Sequence, residues 1–169
     1  MIIKTTFKES MLIETINTRF DKISWNQNGN ELIGIGLFEN QKVQLIIIPH
    51  SYRYRKIKTI YTFLNLIFKT WDGNSYSEEI GHISTNKLSS LISCITLALS
   101  DKVKEFEWDW LTLIAKNNIN SRMKLYSRIG DIIVKGIPIK KIQNIKGNEG
   151  IIILSKKDID IEDIWDSMK

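Results

Sequence analysis

Residues 44–71 read QLIIIPHSYRYRKIKTIYTFLNLIFKTW, and the division of this stretch decides the fold. The apolar run through Ile48 predicts a strand inside a sheet with both faces covered, and Pro49 marks its end. Beyond it, Ile57, Ile60, Phe63, Leu64, Ile67 and Phe68 recur at helical spacing. They predict a long helix from Lys56 to the stop at Asp72-Gly73-Asn74. On that division Arg53, Arg55, Lys56 and Lys58 stand at a strand-to-helix joint. Each cation there opposes the helix macrodipole by a few tenths to about 1 kcal/mol. Helix stability therefore does not account for four of them, and an anionic ligand does. The competing reading is a solvated corner, with Tyr52 and Tyr54 packed on the sheet edge. Cations interleaved with aromatic rings also suit a nucleic-acid strand, where rings stack on bases and cations follow phosphates.

Outward from this stretch the chain alternates between the two periodicities. Toward the N-terminus, MIIKTTF predicts an opening strand, and Leu12, Ile13, Ile16 and Phe20 give an amphipathic helix. KISW is a short strand closed by the turn-forming NQNGN, and ELIGIGLFE and KVQLIIIP form a hairpin joined at Asn40 and Gln41. Toward the C-terminus, EEIGHIS reads as a short strand, and Thr85 or Asn86 caps a helix that ends at Val103. WDWLTLIA is a strand, NINSRMKLYSRIG a helix with Gly130 as its C-cap, and DIIVKGIPI and GIIILSKK two further strands. The acidic DIDIEDIWDSMK predicts a terminal helical turn. Strands, hairpins and helices are mixed without strict βαβ alternation, so the class is α/β of mixed α+β character.

Length and composition narrow the function. The chain has 169 residues, enough for one well-buried domain over 1–169 and short for two. A net charge of +5 favours anionic partners. No apolar stretch reaches the ~18 residues of a membrane span, and the N-terminus lacks the long apolar region of a signal peptide, which predicts a cytoplasmic protein without a membrane partner. Cys94 is the lone cysteine and sits among apolar neighbours, which predicts a buried structural thiol. With His50 and His82 as the complete histidine set, no metal site is expected.

Two stretches resemble the GNAT superfamily of N-acyltransferases, which carry acyl groups from acyl-coenzyme A to amines. In IIIPHSYRYRKIKT, the residues Tyr52, Arg53, Arg55, Ile57 and Thr59 match the register of the family's pyrophosphate loop, while Tyr54, Lys56 and Lys58 replace its three glycines. In WLTLIAKNNINSRMKLYSRIG, the residues Leu125, Tyr126 and Gly130 match a helix ending in Leu-Tyr-x-x-x-Gly. Ile119 stands where the family usually has Asn, with Asn118 and Asn120 on either side. The resemblance implies a central mixed, mostly antiparallel sheet flanked by helices, with residues 73–105 as a helical insertion.

The same resemblance implies acetyl-CoA, or another acyl-CoA, in a splayed opening between the central strand and the WLTLIA strand. It would be held by Ile48, Arg53, Tyr54, Arg55, Lys56, Ile57, Lys58, Thr59, Asn118 and Asn120. Tyr126 would return a proton to the leaving thiolate; as a plain residue it is a half-buried aromatic on an amphipathic helix. Glu107 or His50 would take the proton of the attacking amine. Alternation puts Glu107 and Asp109 on one face and Trp108 and Trp110 on the other, where carboxylates and indoles would line the acceptor pocket, or would simply form a sheet edge with acids outward. The acceptor would be a protein lysine, an aminoacyl-tRNA or a small amine. The alternative from another class is an inactive protein of the same fold that binds nucleic acid or a partner protein through its basic stretch.

Overall fold

The computed structural model describes residues 23–53 and 59–160. The expected N-terminal strand and amphipathic helix lie outside the described residues, as do Tyr54, Arg55, Lys56, Ile57 and Lys58 and most of the acidic tail. The fold is mixed α/β, with a large, mostly antiparallel sheet and, among the described residues, two helices. Strands β1 (Ser24–Asn28), β2 (Glu31–Phe38) and β3 (Gln41–Arg53) form an antiparallel meander. The β2–β3 hairpin turns on Glu39 and Asn40, both at positive φ, so the connection sits one residue earlier than Asn40-Gln41.

The first correction concerns residues 60–71. They form no helix but a twelve-residue strand, β4 (Ile60–Trp71), antiparallel to β3 from Val43↔Thr70 to Arg53↔Ile60. Leu64, Leu66 and Phe68 enter the main core, while Phe63 enters a second cluster on the opposite face of the sheet. A strand buried on both faces is apolar at adjacent positions, and such a run satisfies a helical template as well as a strand template. The abundance of β-branched and aromatic residues from Ile60 to Trp71 decides for the strand.

Strand β5 (Tyr76–Ser77) folds back onto the end of β4, and EEIGHIS is loop rather than strand. Helix α1 (Thr85–Val103) then crosses over to β6 (Trp110–Ala115), which runs parallel to β4. Residues 73–105 thus contain the crossover between the two parallel strands of the sheet. Helix α2 (Ile119–Ile133) follows, and β7 (Lys140–Lys146) and β8 (Glu149–Ser155) close the sheet in the order β1-β2-β3-β4-β6-β8-β7. DIIV is therefore the end of α2 and not the start of a strand.

Gly130 does not cap α2. It lies inside the helix, where a Cβ would stand 2.7 Å from Cδ1 of Leu154, and at Gly150 a Cβ would stand 2.7 Å from Sδ of Met123. These two glycines make room for the side chains of Leu154 and Met123 where α2 packs on β8. Both helices lie on one face of the sheet, burying Leu91, Ile95, Leu99, Tyr126 and Ile129 against Leu45, Leu64, Leu66, Leu111 and Leu154. Cys94 is buried in that core.

Candidate functional site

The parallel strands β4 and β6 pair at only three positions, Phe63↔Trp110, Leu64↔Leu111 and Asn65↔Thr112. The last rung is pinned by a hydrogen bond from Thr112 Oγ1 to Asn65 Oδ1 at 3.1 Å. Beyond it β4 continues to Trp71 and β6 to Ala115 without pairing with each other, and Thr70 and Trp71 pair with β5 instead, so the sheet forks between β4 and β6. Such a fork leaves backbone donors and acceptors facing a gap at the carboxyl ends of two parallel strands, the position where open α/β sheets bind ligands.

Helix α2 runs beside the fork and presents Asn118, Arg122 and Tyr126 at four-residue spacing, one stripe of a helix face. Tyr126 is 3% exposed and meets Phe68 of β4 edge to face, with ring centroids 5.6 Å apart. Its phenol is pushed up to about 12, first by burial and then by the negative charge of Glu78, with Glu79 adding to the rise and the Arg122 guanidinium opposing it. The phenol is therefore neutral at physiological pH, a proton donor and not a base. Arg122 is 5% exposed, and its Nη2 lies 3.0 Å from Oε1 of Glu79. Asn118 Nδ2 donates to Oε2 of the same carboxylate at 3.4 Å.

The strand-to-helix joint that follows the open end of the fork is DGNSYSEEIGHIS, residues 72–84. Asp72 Oδ1 accepts from the amides of Asn74 at 2.8 Å and Ser75 at 3.0 Å, which draws its carboxyl below the usual range and fixes the turn. Thr70 Oγ1 donates to the carbonyl of Glu79 at 3.0 Å and lies 3.4 Å from His82 Nε2. The joint carries three carboxylates, Asp72, Glu78 and Glu79, and no Lys or Arg. Ser84 precedes α1 without making a side-chain cap, and Lys87 in the first turn donates to the carbonyl of Glu39.

This geometry corrects the placement of the basic stretch. Arg53 and Thr59 are exposed at the hairpin end of β3 and β4, where one strand passes to another strand, not to a helix. The hairpin lies at the paired end of β4. From Ile60 to Leu66, six residues along an extended strand span roughly 20 Å, so Arg53 and the fork are at opposite ends of it. Ile48, on β3, pairs with Asn65, so β4 stands between it and the fork. Asn118, in the left-handed region at φ 50, and Asn120 line a shallow depression of about 430 Å³ with Lys116, Gly147 and Asn148, at the carboxyl end of β6.

The residues assigned to proton abstraction and acceptor binding lie elsewhere. Glu107 is exposed ahead of β6, at the closed end of the fork. Asp109 is a structural clasp there: Oδ2 accepts the amide of Thr62 at 2.8 Å, and its own amide donates to the Thr62 carbonyl at 2.7 Å. The two indoles do not share a face. Trp108 is buried in the helix-side core under Lys156, whose Nζ is 3.6 Å from its ring centroid. Trp110 belongs to the opposite face, stacked on Phe63 at 5.0 Å with Tyr52 and Tyr61 against it. Its Nε1 is buried without a hydrogen-bond partner among the described residues. His50 stacks on Phe63 at 4.9 Å on that same face, and partial burial lowers its pKa.

Arg122, Glu78 and Glu79 are the residues that sequence reasoning did not single out. The spacing of Asn118, Arg122 and Tyr126 was the available signal for the first, because it places all three on one helix face. Glu78 and Glu79 carry no local signature; the fold-back of β5 brings them to α2. Among the described residues no group of three or more His, Cys, Asp or Glu side chains is arranged to hold a metal ion, and no helix is long and apolar enough to cross a membrane.

No family model matches the chain, and no curated protein matches it. Among solved structures, the chain is similar to an acetyltransferase of the GNAT family from Streptococcus pneumoniae at 10% identity and a TM-score of 0.30, over 77% of this chain and 68% of that one.

Proposed function

We propose that the chain is an acyl-CoA-dependent N-acyltransferase whose donor enters the fork between β4 and β6. The observation that carries this reading is a pair of parallel strands that separates after three rungs, with a buried, protonated phenol beside the opening. The helix that supplies the phenol is the one on which Leu125 and Tyr126 match the acyltransferase pattern. The donor set fits an acyl donor at the fork: Arg122 and Asn118 offer N–H groups to oxyanions, and Phe68 of β4 lies beyond the last rung against Tyr126. It does not fit a basic phosphate cradle at the start of α1, because the joint there is acidic. The reading rests on the fork and not on the loop.

The thioester supplies the acyl carbonyl and a thiolate leaving group. Tyr126 holds its proton at neutral pH and can pass it to a thiolate formed within hydrogen-bond reach. Glu78, the carboxylate whose charge acts most strongly on that phenol, replaces Glu107 as the base, receiving the amine proton directly or through water. Transfer of this kind relies on positioning more than on many obligatory groups, so a short stripe on one helix suffices.

Thermal melting with and without acetyl-CoA tests the reading. A ligand bound to the folded state alone adds RT ln(1 + [L]/Kd) to stability, about 2.7 kcal/mol at a hundredfold excess over Kd. The melting temperature is expected to rise for the native chain and equally for Arg53→Ala, which is distant from the fork. No rise at millimolar acetyl-CoA refutes the proposal.

A further inference from the structure

We infer that Arg122 is a binding site for an oxyanion of the incoming ligand, carboxylate or phosphate, and that Glu79 occupies this site as a built-in competitor. The inference deepens the acyltransferase reading by naming what the fork recognises. A guanidinium has five N–H donors in a rigid fork. Arg122 is 5% exposed, yet its single ion pair among the described residues runs from Nη2 to Oε1 of Glu79. Its other N–H groups are not sealed in the core, since the one buried side-chain polar atom without a partner among the described residues is Trp110 Nε1, so they reach solvent and are open to an incoming oxyanion. Glu79 is a poor permanent partner, because its carboxylate is half-exposed and water competes for it. The pair thus joins a buried cation fixed on a helix to an anion that is free to leave.

The surroundings allow that exchange without refolding the loop. The main chain of residues 72–83 is held independently of the carboxylate: Asp72 ties the turn, Thr70 holds the Glu79 carbonyl, Tyr76 and Ser77 pair with β4, and Ile80 and Ile83 pack into the core. Rotation of the Glu79 side chain alone uncovers Arg122. Asn118 already donates to the same carboxylate and remains in place to donate to its replacement. Tyr126, one helical turn further, then lies next to whatever the guanidinium holds.

The test measures binding of three probes, malonate, inorganic pyrophosphate and acetyl-CoA, by calorimetry and thermal shift, in the native chain, Glu79→Gln and Arg122→Lys. If Glu79 fills the site about nine-tenths of the time, its removal tightens a competing oxyanion roughly tenfold. Glu79→Gln is expected to melt lower than the native chain without ligand and to show a larger rise with the probe that binds. Arg122→Lys keeps the charge but loses the fork, and is expected to weaken that probe at least tenfold. Malonate and pyrophosphate distinguish a carboxylate ligand from a phosphate. Binding of either that follows these variants, with none of acetyl-CoA, keeps the oxyanion site and removes the acyltransferase reading. Binding of acetyl-CoA that is indifferent to both variants overturns the role of Arg122 and leaves that reading standing, and binding of no probe overturns both.

Discussion

Replacing Tyr126 by Phe separates the stability role of this side chain from its proposed chemistry. The phenol is raised from 10.0 to about 12, with burial as the main cause. Burial favours the neutral form, so its contribution is intact below pH 10, where folded and unfolded chains both hold the proton. It declines above pH 10, as unfolded chains ionise first, and is gone once the pH passes about 12. The displacement corresponds to about 3 kcal/mol at the alkaline end. In a chain of this size that is on the order of 5–10 °C in melting temperature. At neutral pH the substitution costs little, less than about 1 kcal/mol, because the hydroxyl makes no hydrogen bond among the described residues and the ring keeps its edge-to-face contact with Phe68. The assay is melting temperature against pH for both proteins, from neutrality to about pH 11.5, with acetyl transfer measured at neutral pH. The native curve is expected to fall away from the Tyr126→Phe curve above pH 10. Acyl transfer is expected to drop by a factor of about 10² or more with donor affinity unchanged. Parallel curves up to about pH 11.5 would show that the phenol is not held neutral by burial, and the proton-donor role would go with it.

Two further outcomes follow from the packing. Asp109→Ala removes the acceptor of the Thr62 amide at the closed end of the fork and is expected to destabilise by about 1–3 kcal/mol in urea unfolding, with acetyl-CoA affinity unaltered. Gly130→Ala places a Cβ 2.7 Å from Cδ1 of the fully buried Leu154, and is expected to cost about 1–3 kcal/mol, part of which Leu154→Val returns in the double variant.

The parts of the fold that were legible in the sequence are those with one buried face or a clear terminator. The β2–β3 hairpin, α1 and the helix bearing Tyr126 all show a period or a turn that places the element, although the hairpin turns one residue early and β3 runs through Pro49 to Arg53. Residues 60–71 show none, because their side chains are needed on both sides of the sheet: Leu64, Leu66 and Phe68 under the helices, Phe63 against Trp110. Gly130 misleads for a related reason. A glycine near the end of a helical run reads as a cap, and only the neighbouring strand reveals that its lack of a Cβ serves contact with Leu154. The consequence for the candidate site exceeds the size of the error. Converting one helix to a strand moves the strand-to-helix joint from residues 52–59 to residues 72–84, and the charge at that joint changes from four cations to three carboxylates. An anion-binding argument built on local charge therefore cannot survive the shift, whereas one built on the WLTLIA strand and its following helix does, since that unit is correctly placed and carries Tyr126. The positive charge that an anionic ligand requires is still present in the molecule, but it sits across the fork on α2, as Arg122, in a position that only the pairing of β4 with β6 and the fold-back of β5 can specify.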